Sequence, residues 1–451
     1  MLYASTIKRA DTIAAIATPP GRGGIGVVRV SGSRALAIGK AILGVTPAPR
    51  TAAYERFYDA HGRIIDDGIA LFFPAPRSST GESVLELQGH GGPVVLDMVL
   101  KRALSLGARL ARPGEFSERA FLNGKLDLAQ AEAVADLIES GTEQAARSAA
   151  RSKQGAFSRA IQELVDGLID LRGFVEATLD FSEEDLEFPG EPAVNARLQT
   201  LQHQLDMVHE QARQGALMRE GVTLVIAGRP NVGKSSLLNR LAGSDLAIVT
   251  HLPGTTRDVV RQDIQIDGMP LRVIDTAGLR QSVDPIELEG IRRARIEIET
   301  GDLILLVIDA RCGLRSDAQE ILKQLPERAP FLTVWNKIDL CDVPPGRREG
   351  IVYVSALTGA GFSALTQAVK DHIGFKASPE GVFLARRRHL VALETAAQAL
   401  VRANGVARSG SYGELLAEEL RAAQHALSEI TGAFTPEDLL GRIFSSFCIG
   451  K

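Results

Sequence analysis

Cysteine is scarce in this chain, with three among 451 residues, namely Cys312, Cys341 and Cys448. A low, odd number without metal-ligand spacing favours reduced thiols and excludes a disulfide scaffold. An excess of one charge is missing too, because 51 Lys and Arg residues face 55 Asp and Glu residues, leaving a net charge of −4. No basic tail therefore indicates nucleic-acid binding, and contact with RNA would need a local patch or a partner.

Long hydrophobic runs are also absent. The longest strongly apolar run, Leu303 to Ile308, is far shorter than the roughly 20 residues that span a bilayer. Near the start, the apolar stretch from Ile13 to Ala17 is ended by Pro19 and Pro20 too early for a secretory signal. We therefore expect a cytoplasmic protein without a membrane span. The chain also has no internal repeat and no low-complexity tract.

The order of predicted elements indicates a multidomain protein with α/β and all-α parts. Short strands and Gly/Pro turns predict an N-terminal α+β domain over 1–122. Apolar residues at helical spacing predict a helical domain in 123–218 and 376–451. Between them, 219–375 alternates apolar strands with helices, which is typical of a parallel sheet flanked by helices. We expect this α/β domain to be inserted into the discontinuous helical domain, since the ends of a domain often lie close together.

Individual elements follow from the same patterns. In the first domain, Val27 to Val30 and Val84 to Leu87 are predicted strands, and Val94 to Leu106 is a predicted helix. The strands predicted in the inserted domain are Thr223–Ala227, Leu271–Ile274, Leu303–Ile308, Phe331–Trp335 and Ile351–Val354.

The segment Gly228 to Ser235 matches the phosphate-binding pattern G-x-x-x-x-G-K-[ST], between a predicted strand and the predicted helix Ser236–Leu241. Backbone N–H groups of such a loop hold phosphates. Lys234 can reach the β and γ oxygens, and Ser235 offers its hydroxyl to Mg²⁺. A chance glycine-rich turn is the alternative, and the motifs further along the chain argue against it. The nucleotide-binding residues predicted here are Asn231, Val232, Gly233, Lys234, Ser235 and Ser236.

Three further motifs each follow a predicted strand. The first can support the water shell of Mg²⁺ and sense the γ-phosphate. In the second, Asp339 can accept two hydrogen bonds from guanine that adenine cannot offer, which predicts GTP over ATP. The third can support guanine O6 through backbone N–H groups. The predicted nucleotide-binding residues are Asp275, Thr276, Ala277 and Gly278 in the first motif, Asn336, Lys337 and Asp339 in the second, and Ser355, Ala356 and Leu357 in the third.

The groups that would cleave GTP are less evident. Leu279 follows Gly278, where related enzymes carry a glutamine that orients water. Glu287, in the segment Asp284–Gly290, is the acidic candidate for this task, and the alternative interpretation is a solvated carboxylate at a helix start. The positive charge that stabilises the transition state could come from Arg257 or from a monovalent metal ion near Asn231.

These motifs and the flanking segments resemble the MnmE (TrmE) family of tRNA modification GTPases, within the superfamily of TrmE, Era and EngA. The resemblance extends over essentially the whole chain and implies a folate-binding N-terminal domain that dimerises, a helical domain and an inserted Ras-like G domain. The segments that carry it are Pro19–Gly26, Leu85–Pro93, Arg112–Arg119, Gly228–Ser235, Gly254–Asp258, Asp275–Gly278, Asn336–Asp339 and Phe447–Lys451.

The resemblance implies GTP hydrolysis that K⁺ activates. It assigns K⁺ to Asn231, Thr250, Leu252 and Thr255, with Leu252 contributing only its carbonyl. It assigns Mg²⁺ to Ser235 and Thr256, and the orientation of water to Glu287. It also adds a loop to the nucleotide-binding residues, consisting of Thr250, His251, Leu252, Pro253, Gly254, Thr255 and Thr256.

The resemblance further implies partners and a one-carbon donor. The chain would form a homodimer and a heterotetramer with the flavin-dependent MnmG (GidA). The complex would attach an aminomethyl or carboxymethylaminomethyl group at C5 of the wobble uridine of certain tRNAs. The donor would be 5-formyl- or 5,10-methylene-tetrahydrofolate, bound by Arg29, Glu86, Lys125 and Lys451, whose charges suit an aminopyrimidinone edge and carboxylates. Cys448 belongs to the C-terminal motif and is a candidate for a chemical role, although a single cysteine near a terminus is usually inert.

Two other functions stay open from the residues. One is a GTPase switch in ribosome assembly, which usually carries an RNA-binding module that this sequence does not show. The other is a folate-binding protein with a vestigial G domain, against which Lys234, Ser235 and Asp275 argue. The basic cluster Arg386 to His389 could be a tRNA patch or a solvated helix start.

Overall fold

The computed structural model describes residues 11–180, 191–244, 261–275, 301–312, 330–376, 382–408, 414–433, 437–448 and 450. Packing divides the chain into two compact units. The first consists of Met1–Ala135, Lys153–Asp166 and Gln424–Lys451, and the second of Asp136–Ser152 and Gly167–Ala423. The mixed sheets and many helices confirm the multidomain architecture. The limits of the three predicted domains stay a prediction.

A six-stranded sheet forms the centre of the first unit, in the order β3-β4-β5-β2-β1-β6. Its pairs are antiparallel except for the parallel pair β1/β6. The strands predicted from Val27 and from Val84 are confirmed within β2 and β5. The six strands are β1 (Thr12–Ile16), β2 (Gly23–Ser31), β3 (Ala53–Tyr58), β4 (Ile64–Phe73), β5 (Val84–Gly91) and β6 (Ala108–Leu110).

Two helices, α1 (Ala35–Leu43) and α2 (Pro93–Ser105), pack on this sheet and enclose its main apolar core. The predicted helix from Val94 is confirmed as α2. It begins at Pro93, where a missing N–H costs nothing because the first N–H groups of a helix have no partner within it.

A second cluster in this unit joins segments that are far apart in sequence. Phe121 lies in α3 (Glu115–Leu122), and Phe444 lies in α12 (Glu437–Ser445). Their ring centroids are 6.2 Å apart, and Phe447 packs edge-on against Phe444 at 5.4 Å. The described C-terminal residues are thereby fixed to the N-terminal part of the chain through apolar burial.

A buried carboxylate ties α3 to β6. Glu115 is fully buried and accepts hydrogen bonds from both Arg109 Nη atoms, from Arg119 Nη2 at 3.1 Å and from the Arg112 N–H at 2.9 Å. Burial acts to raise the pKa of the Glu115 carboxyl, but these bonds, led by those of Arg109, outweigh it and lower the pKa to about 2. Glu115 is therefore ionised in the folded protein at any ordinary pH.

The second unit contains a seven-stranded sheet in the order β12-β13-β11-β10-β7-β9-β8. The five inner strands are parallel, as predicted, and contain all five predicted strands except their last residue, Val354. The seven strands are β7 (Val222–Ala227), β8 (Arg261–Ile266), β9 (Met269–Asp275), β10 (Leu303–Asp309), β11 (Phe331–Asn336), β12 (Gly346–Arg348) and β13 (Ile351–Tyr353).

The two edge strands, β8 and β12, were not among the predicted strands, and each is antiparallel to its neighbour. Asp267 and Gly268, with φ of 49° and 81°, turn the chain from β8 into β9. Glu349 and Gly350, with φ of 49° and 80°, do the same between β12 and β13. Two-residue turns with positive φ match the twist of a hairpin and force antiparallel pairing.

Helices cover one face of this sheet, where the largest apolar core lies. The helix α7 (Glu191–Glu220) packs along α10 (Arg387–Arg408), and Asn404 of α10 donates to Gln202 of α7 at 2.7 Å. In the part of the chain that the structure describes, no helix is both long and apolar enough to cross a membrane. The remaining helices are α4 (Leu128–Glu139), α5 (Glu143–Lys153), α6 (Ala156–Asp180), α7 (Glu191–Glu220), α8 (Lys234–Ser244), α9 (Phe362–Ile373), α10 (Arg387–Arg408) and α11 (Glu414–Thr431).

One glutamine joins the two places where the chain enters and leaves the sheet region. Gln214, near the end of α7, donates from Nε2 to the Gly374 carbonyl at 2.8 Å. Its Oε1 accepts the Lys376 N–H at 2.9 Å. Arg213 also donates to the Gly374 carbonyl, at 3.1 Å. The segments before β7 and after α9 are thus held side by side.

We predict that Glu115→Gln lowers stability at neutral pH by up to about 3 kcal/mol, since the ionised carboxylate stabilises the fold while its pKa is depressed. That contribution is fully present above the ordinary pKa of 4.5 and is lost as pH falls towards 2. The two proteins should therefore converge in stability over this acidic range. Urea unfolding followed at several pH values measures this.

The matched control is Glu118→Gln, because Glu118 pairs with the half-exposed Arg112 at 2.8 Å. An exposed pair of this kind contributes at most about 1 kcal/mol. Equal losses in the two variants, or a Glu115→Gln loss that does not shrink in acid, would contradict the assignment of a buried, charged Glu115.

Candidate functional site

The loop from Gly228 to Ser235 connects β7 to α8, which is the strand, loop and helix order that a phosphate-binding loop requires. Gly228, Asn231 and Gly233 have φ of 154°, 65° and 93°. A Cβ on Gly228 would lie 2.4 Å from the Val307 carbonyl oxygen, and one on Gly233 would lie 2.3 Å from Asn336 Nδ2. Side chains have no room at these two glycines, so the backbone itself forms the wall of the site.

Lys234 begins α8 and is almost fully buried. Its Nζ donates to the carbonyls of Gly228 at 2.7 Å and Arg229 at 2.9 Å. The ammonium therefore lies inside the curve of the loop, where the exposed Ser235 and Ser236 add hydroxyls at the helix N-terminus. A buried cation and the positive end of a helix dipole attract phosphate oxygens.

Asn336 ends β11 and is almost fully buried. Its Nδ2 donates to the Val232 carbonyl, and its Oδ1 accepts the Ala356 N–H, both at 2.9 Å. One amide therefore connects the phosphate-binding loop to the segment that follows β13. Three predicted motifs are brought together by this side chain.

The predicted guanine contacts lie next to Asn336. The buried Ser355 donates from Oγ to Asp339 Oδ1 at 2.5 Å and accepts the Thr358 N–H at 3.1 Å. Asp339 itself is exposed. An exposed carboxylate held by a buried hydroxyl is suited to accept paired N–H groups of a base.

Two residues of this site were missed by sequence reasoning. Arg240 of α8 donates to the carbonyls of Leu357 at 3.3 Å and Thr358 at 3.0 Å, and so holds the segment that contains the predicted base contacts. Asp309 ends β10 and pairs with Lys337 Nζ at 2.9 Å. The position of Asp309 at the carboxyl end of a buried parallel strand was the signal that could have identified it.

Some of the predicted metal ligands carry oxygen atoms that are suited to bind hard cations. Hydroxyl and amide oxygens are hard donors, which Mg²⁺ and similar hard cations prefer. Ser235 and Asn231 offer such oxygens on exposed parts of the loop. Asp275 ends β9 in register with Ile226 of β7, so its backbone lies beside the strand that leads into the loop. The Asp275 side chain is outside the described part.

Many predicted site residues lie outside the described residues, and their roles stay predictions. Glu287, the water-orienting candidate, is among them, as are the alternative cation Arg257 and the terminal Lys451. The others are Thr250, His251, Leu252, Pro253, Gly254, Thr255, Thr256, Thr276, Ala277 and Gly278.

In the first unit, two predicted folate residues form a pair. Arg29 of β2 lies directly opposite Glu86 of β5, and its Nε and Nη2 both approach Glu86 Oε1 at 2.9 Å. Arg29 also donates to the Gly450 carbonyl at 3.3 Å, and Gly450 directly precedes Lys451. The sheet register thus brings the two charges together, and the bond from Arg29 to Gly450 adds the C-terminal segment. The side chains of Arg29 and Glu86 are 26% and 17% exposed, so a ligand can reach them.

Lys125 and Cys448 are both exposed. Lys125 donates to the Pro76 carbonyl at 3.3 Å, and the Cys448 carbonyl accepts the Gly114 N–H at 3.3 Å. In the basic cluster, Arg386 pairs with the buried Asp136 at 2.7 Å, and the buried His389 accepts the Arg386 N–H through Nδ1 at 3.0 Å. The interpretation of this cluster as a solvated face is therefore wrong for Arg386 and His389, because both are held inside the fold.

Comparison with known proteins yields two family models and many relatives. The model described as the MnmE helical domain matches residues 128–448, and the model described as the N-terminus of the GTP-binding protein TrmE matches residues 12–125. A protein named tRNA modification GTPase MnmE from Methylococcus capsulatus is 58% identical over 98% of this chain and 99% of the relative. One with the same name from Nitrosococcus oceani is 55% identical over 99% of this chain and 98% of the relative.

Solved structures are more distant. A structure of Era in complex with MgGDPNP and a segment of 16S ribosomal RNA has 29% identity over 40% of this chain and 66% of that chain. The TM-score of 0.28 is too low to bear on the fold or the function.

We predict that Asn336→Ala weakens guanine-nucleotide binding by about tenfold or more. The variant leaves the Val232 carbonyl and the Ala356 N–H without this partner, and each such loss in a buried site costs about 1–3 kcal/mol. Titration with a fluorescent GDP analogue measures the affinity. The control is Asn239→Ala on the exposed face of α8, which should bind within twofold of the unchanged protein. Equal affinities of the two variants would contradict the joining role of Asn336.

Proposed function

The chain belongs to the MnmE family of tRNA modification GTPases, and on that premise we propose that it hydrolyses GTP and takes part in modifying tRNA. The observation that carries the proposal is the single connected site in which Asn336 links the phosphate-binding loop to the predicted guanine contacts. Relatives that match over nearly their whole length support the same function.

Each part of the site would have a distinct task. The buried ammonium of Lys234 would stabilise negative charge on the β and γ oxygens. Ser235, together with Thr256, would hold Mg²⁺, which neutralises charge on the same oxygens. Asp339, held by Ser355, would select guanine through paired hydrogen bonds.

For the cleavage of GTP, we propose that K⁺ supplies the positive charge that an arginine finger supplies in other GTPases. Asn231 supports this because it is exposed on the phosphate-binding loop and its side chain carries an amide oxygen, a donor that hard cations prefer. The other proposed K⁺ ligands are Thr250, the Leu252 carbonyl and Thr255. Glu287 would orient the attacking water.

The paired charges in the first unit support a tetrahydrofolate derivative as the one-carbon donor. Glu86 would accept hydrogen bonds from an aminopyrimidinone edge, while Arg29, Lys125 and Lys451 would meet carboxylates. The approach of the Gly450 carbonyl to Arg29 supports the inclusion of the C-terminus in this site. Cys448 remains a candidate for a chemical role in this reaction.

The family also suggests the partners. We propose that the chain works as a homodimer with MnmG (GidA) in the cytoplasm and that tRNA is the substrate of the complex. The product would be an aminomethyl or carboxymethylaminomethyl group at C5 of the wobble uridine.

The proposal predicts that tRNA from cells lacking this protein has no C5-modified wobble uridine. Mass spectrometry of tRNA nucleosides tests it directly. Expression of the unchanged chain should restore the modification, and Lys234→Ala should not, because the variant removes the buried ammonium. The control is Lys101→Ala on the exposed side of α2. Persistence of the modified uridines in the deletion strain would reject the tRNA assignment and favour the alternative in ribosome assembly.

The K⁺ proposal predicts that GTP hydrolysis is at least about tenfold faster in KCl than in NaCl at equal ionic strength, since electrostatic stabilisation of a transition state is worth at least that factor. Steady-state phosphate release measures the rates. Asn231→Ala should reduce the ratio of the two rates. Equal rates in both salts with the unchanged chain would reject K⁺ activation while leaving GTP hydrolysis intact.

A further inference from the structure

Asp309 lies at a central position of the nucleotide site, although no predicted motif contains it. It is the last residue of β10, a strand whose seven residues are all buried, and only 7% of Asp309 is exposed. Its Oδ1 accepts the Arg311 N–H at 3.1 Å and Arg311 Nε at 3.0 Å, while Oδ2 accepts Arg311 Nη2 at 2.7 Å. The carboxylate is therefore fixed in one orientation by the residue two positions further along.

The same Oδ2 atom also accepts Lys337 Nζ at 2.9 Å. From this position Lys337 Nζ donates a second bond, to the Asn231 carbonyl oxygen at 2.5 Å. Asp309 at the end of β10, Lys337 after β11 and Asn231 in the phosphate-binding loop are thus joined through one ammonium group.

Lys337 and Asn231, which are joined by the second of these bonds, both have unusual backbone conformations. Asn231 has a φ of 65° and Lys337 a φ of 68°, so both are left-handed residues that are not glycine. Such conformations are sparsely populated and persist when surrounding contacts hold them. The bond from Lys337 to the Asn231 carbonyl is a contact of this kind for both residues.

The Asp309 carboxyl group is ionised in the folded protein. Hydrogen bonds from Arg311 are the main cause that holds the pKa of the Asp309 carboxyl well below its usual range, and the Lys337 ammonium lowers it further against the opposing effect of burial. A charge-assisted hydrogen bond is shorter and stronger than a neutral one, so the ionised carboxylate orients Lys337 better than an amide would.

We propose that Asp309 is a positioning residue of the nucleotide site, which holds Lys337 so that Lys337 fixes Asn231 and the phosphate-binding loop. The inference rests on the proposed function, because it assigns a task within the GTP site. Asp309 acts through Lys337 and touches no substrate itself. Asn231 is also a proposed K⁺ ligand, so Asp309 influences the binding of both the nucleotide and the cation.

A double-mutant cycle on nucleotide affinity tests the proposal. Asp309→Asn and Lys337→Met should each weaken binding of a fluorescent GDP analogue by about tenfold, the typical effect of losing a hydrogen bond to a charged group. The double variant should also lose about tenfold, because both changes break the same connection. Independent losses that multiply to about a hundredfold would overturn the proposal.

Two further variants separate positioning from general damage to the fold. Asp309→Glu keeps the charge and should recover part of the affinity. Asp371→Asn removes an exposed carboxylate that pairs with Arg347 at 3.0 Å, and it should bind within twofold of the unchanged chain. Asp309→Asn should unfold within a few degrees of Asp371→Asn. An Asp309→Asn affinity equal to that of Asp371→Asn would overturn the proposal.

The cation requirement gives a second measurement. Asp309→Asn should need several-fold more KCl for the half-maximal hydrolysis rate, while the rate at saturating KCl and GTP stays within twofold. An unchanged KCl requirement would overturn the link from Lys337 to Asn231. Failure of the unchanged chain to bind the GDP analogue would instead reject the proposed function, and the inference with it.

Discussion

The two hydrogen bonds of the Asn336 amide are the interaction on which the nucleotide site depends. The phosphate-binding loop, the end of β11 and the segment after β13 come from three separate parts of the sequence. A buried amide that donates to one and accepts from another fixes their spacing, because leaving either group unpaired would be unfavourable. Gly233 lies against the same amide, and the contact explains why that position has no side chain.

Each of the two units contains a buried carboxylate whose charge is stabilised by nearby cationic donors. In the first, Glu115 is surrounded by arginine donors, and in the second Asp309 is held by Arg311 and Lys337. Both carboxylates sit at the end of an element and connect it to another, in the first case α3 to β6 and in the second β10 to the segment after β11. An ionised buried group is tolerated only where several donors meet it, so each carboxylate fixes the geometry of its neighbours.

The sequence predicted the inner strands well, because each is a run of mostly apolar residues and four of the five, all but β10, are followed by a predicted nucleotide motif. The edge strand β8, with the sequence RQDIQI, lacks such a run, and its hairpin was indicated only by Asp267 and Gly268.

The nucleotide motifs were identified by the spacing of their residues. Asp309 and Arg240 were missed because the partners that connect them to the site lie far away in sequence, Lys337 for Asp309 and the carbonyls of Leu357 and Thr358 for Arg240. The pairing of Arg29 with Glu86 depends on the β2/β5 register, which one sequence does not reveal.

The contacts of Gln214 bear on how such a chain could have arisen. Since one side chain bonds both to Gly374 and to Lys376, the points of entry and exit of the intervening segment are neighbours. A gene fragment encoding that segment could be spliced into an ancestral helical protein without separating the helices on either side. The same geometry makes the segment exchangeable, so that its loss would require only a short peptide between α7 and the residues after α9 to close the gap.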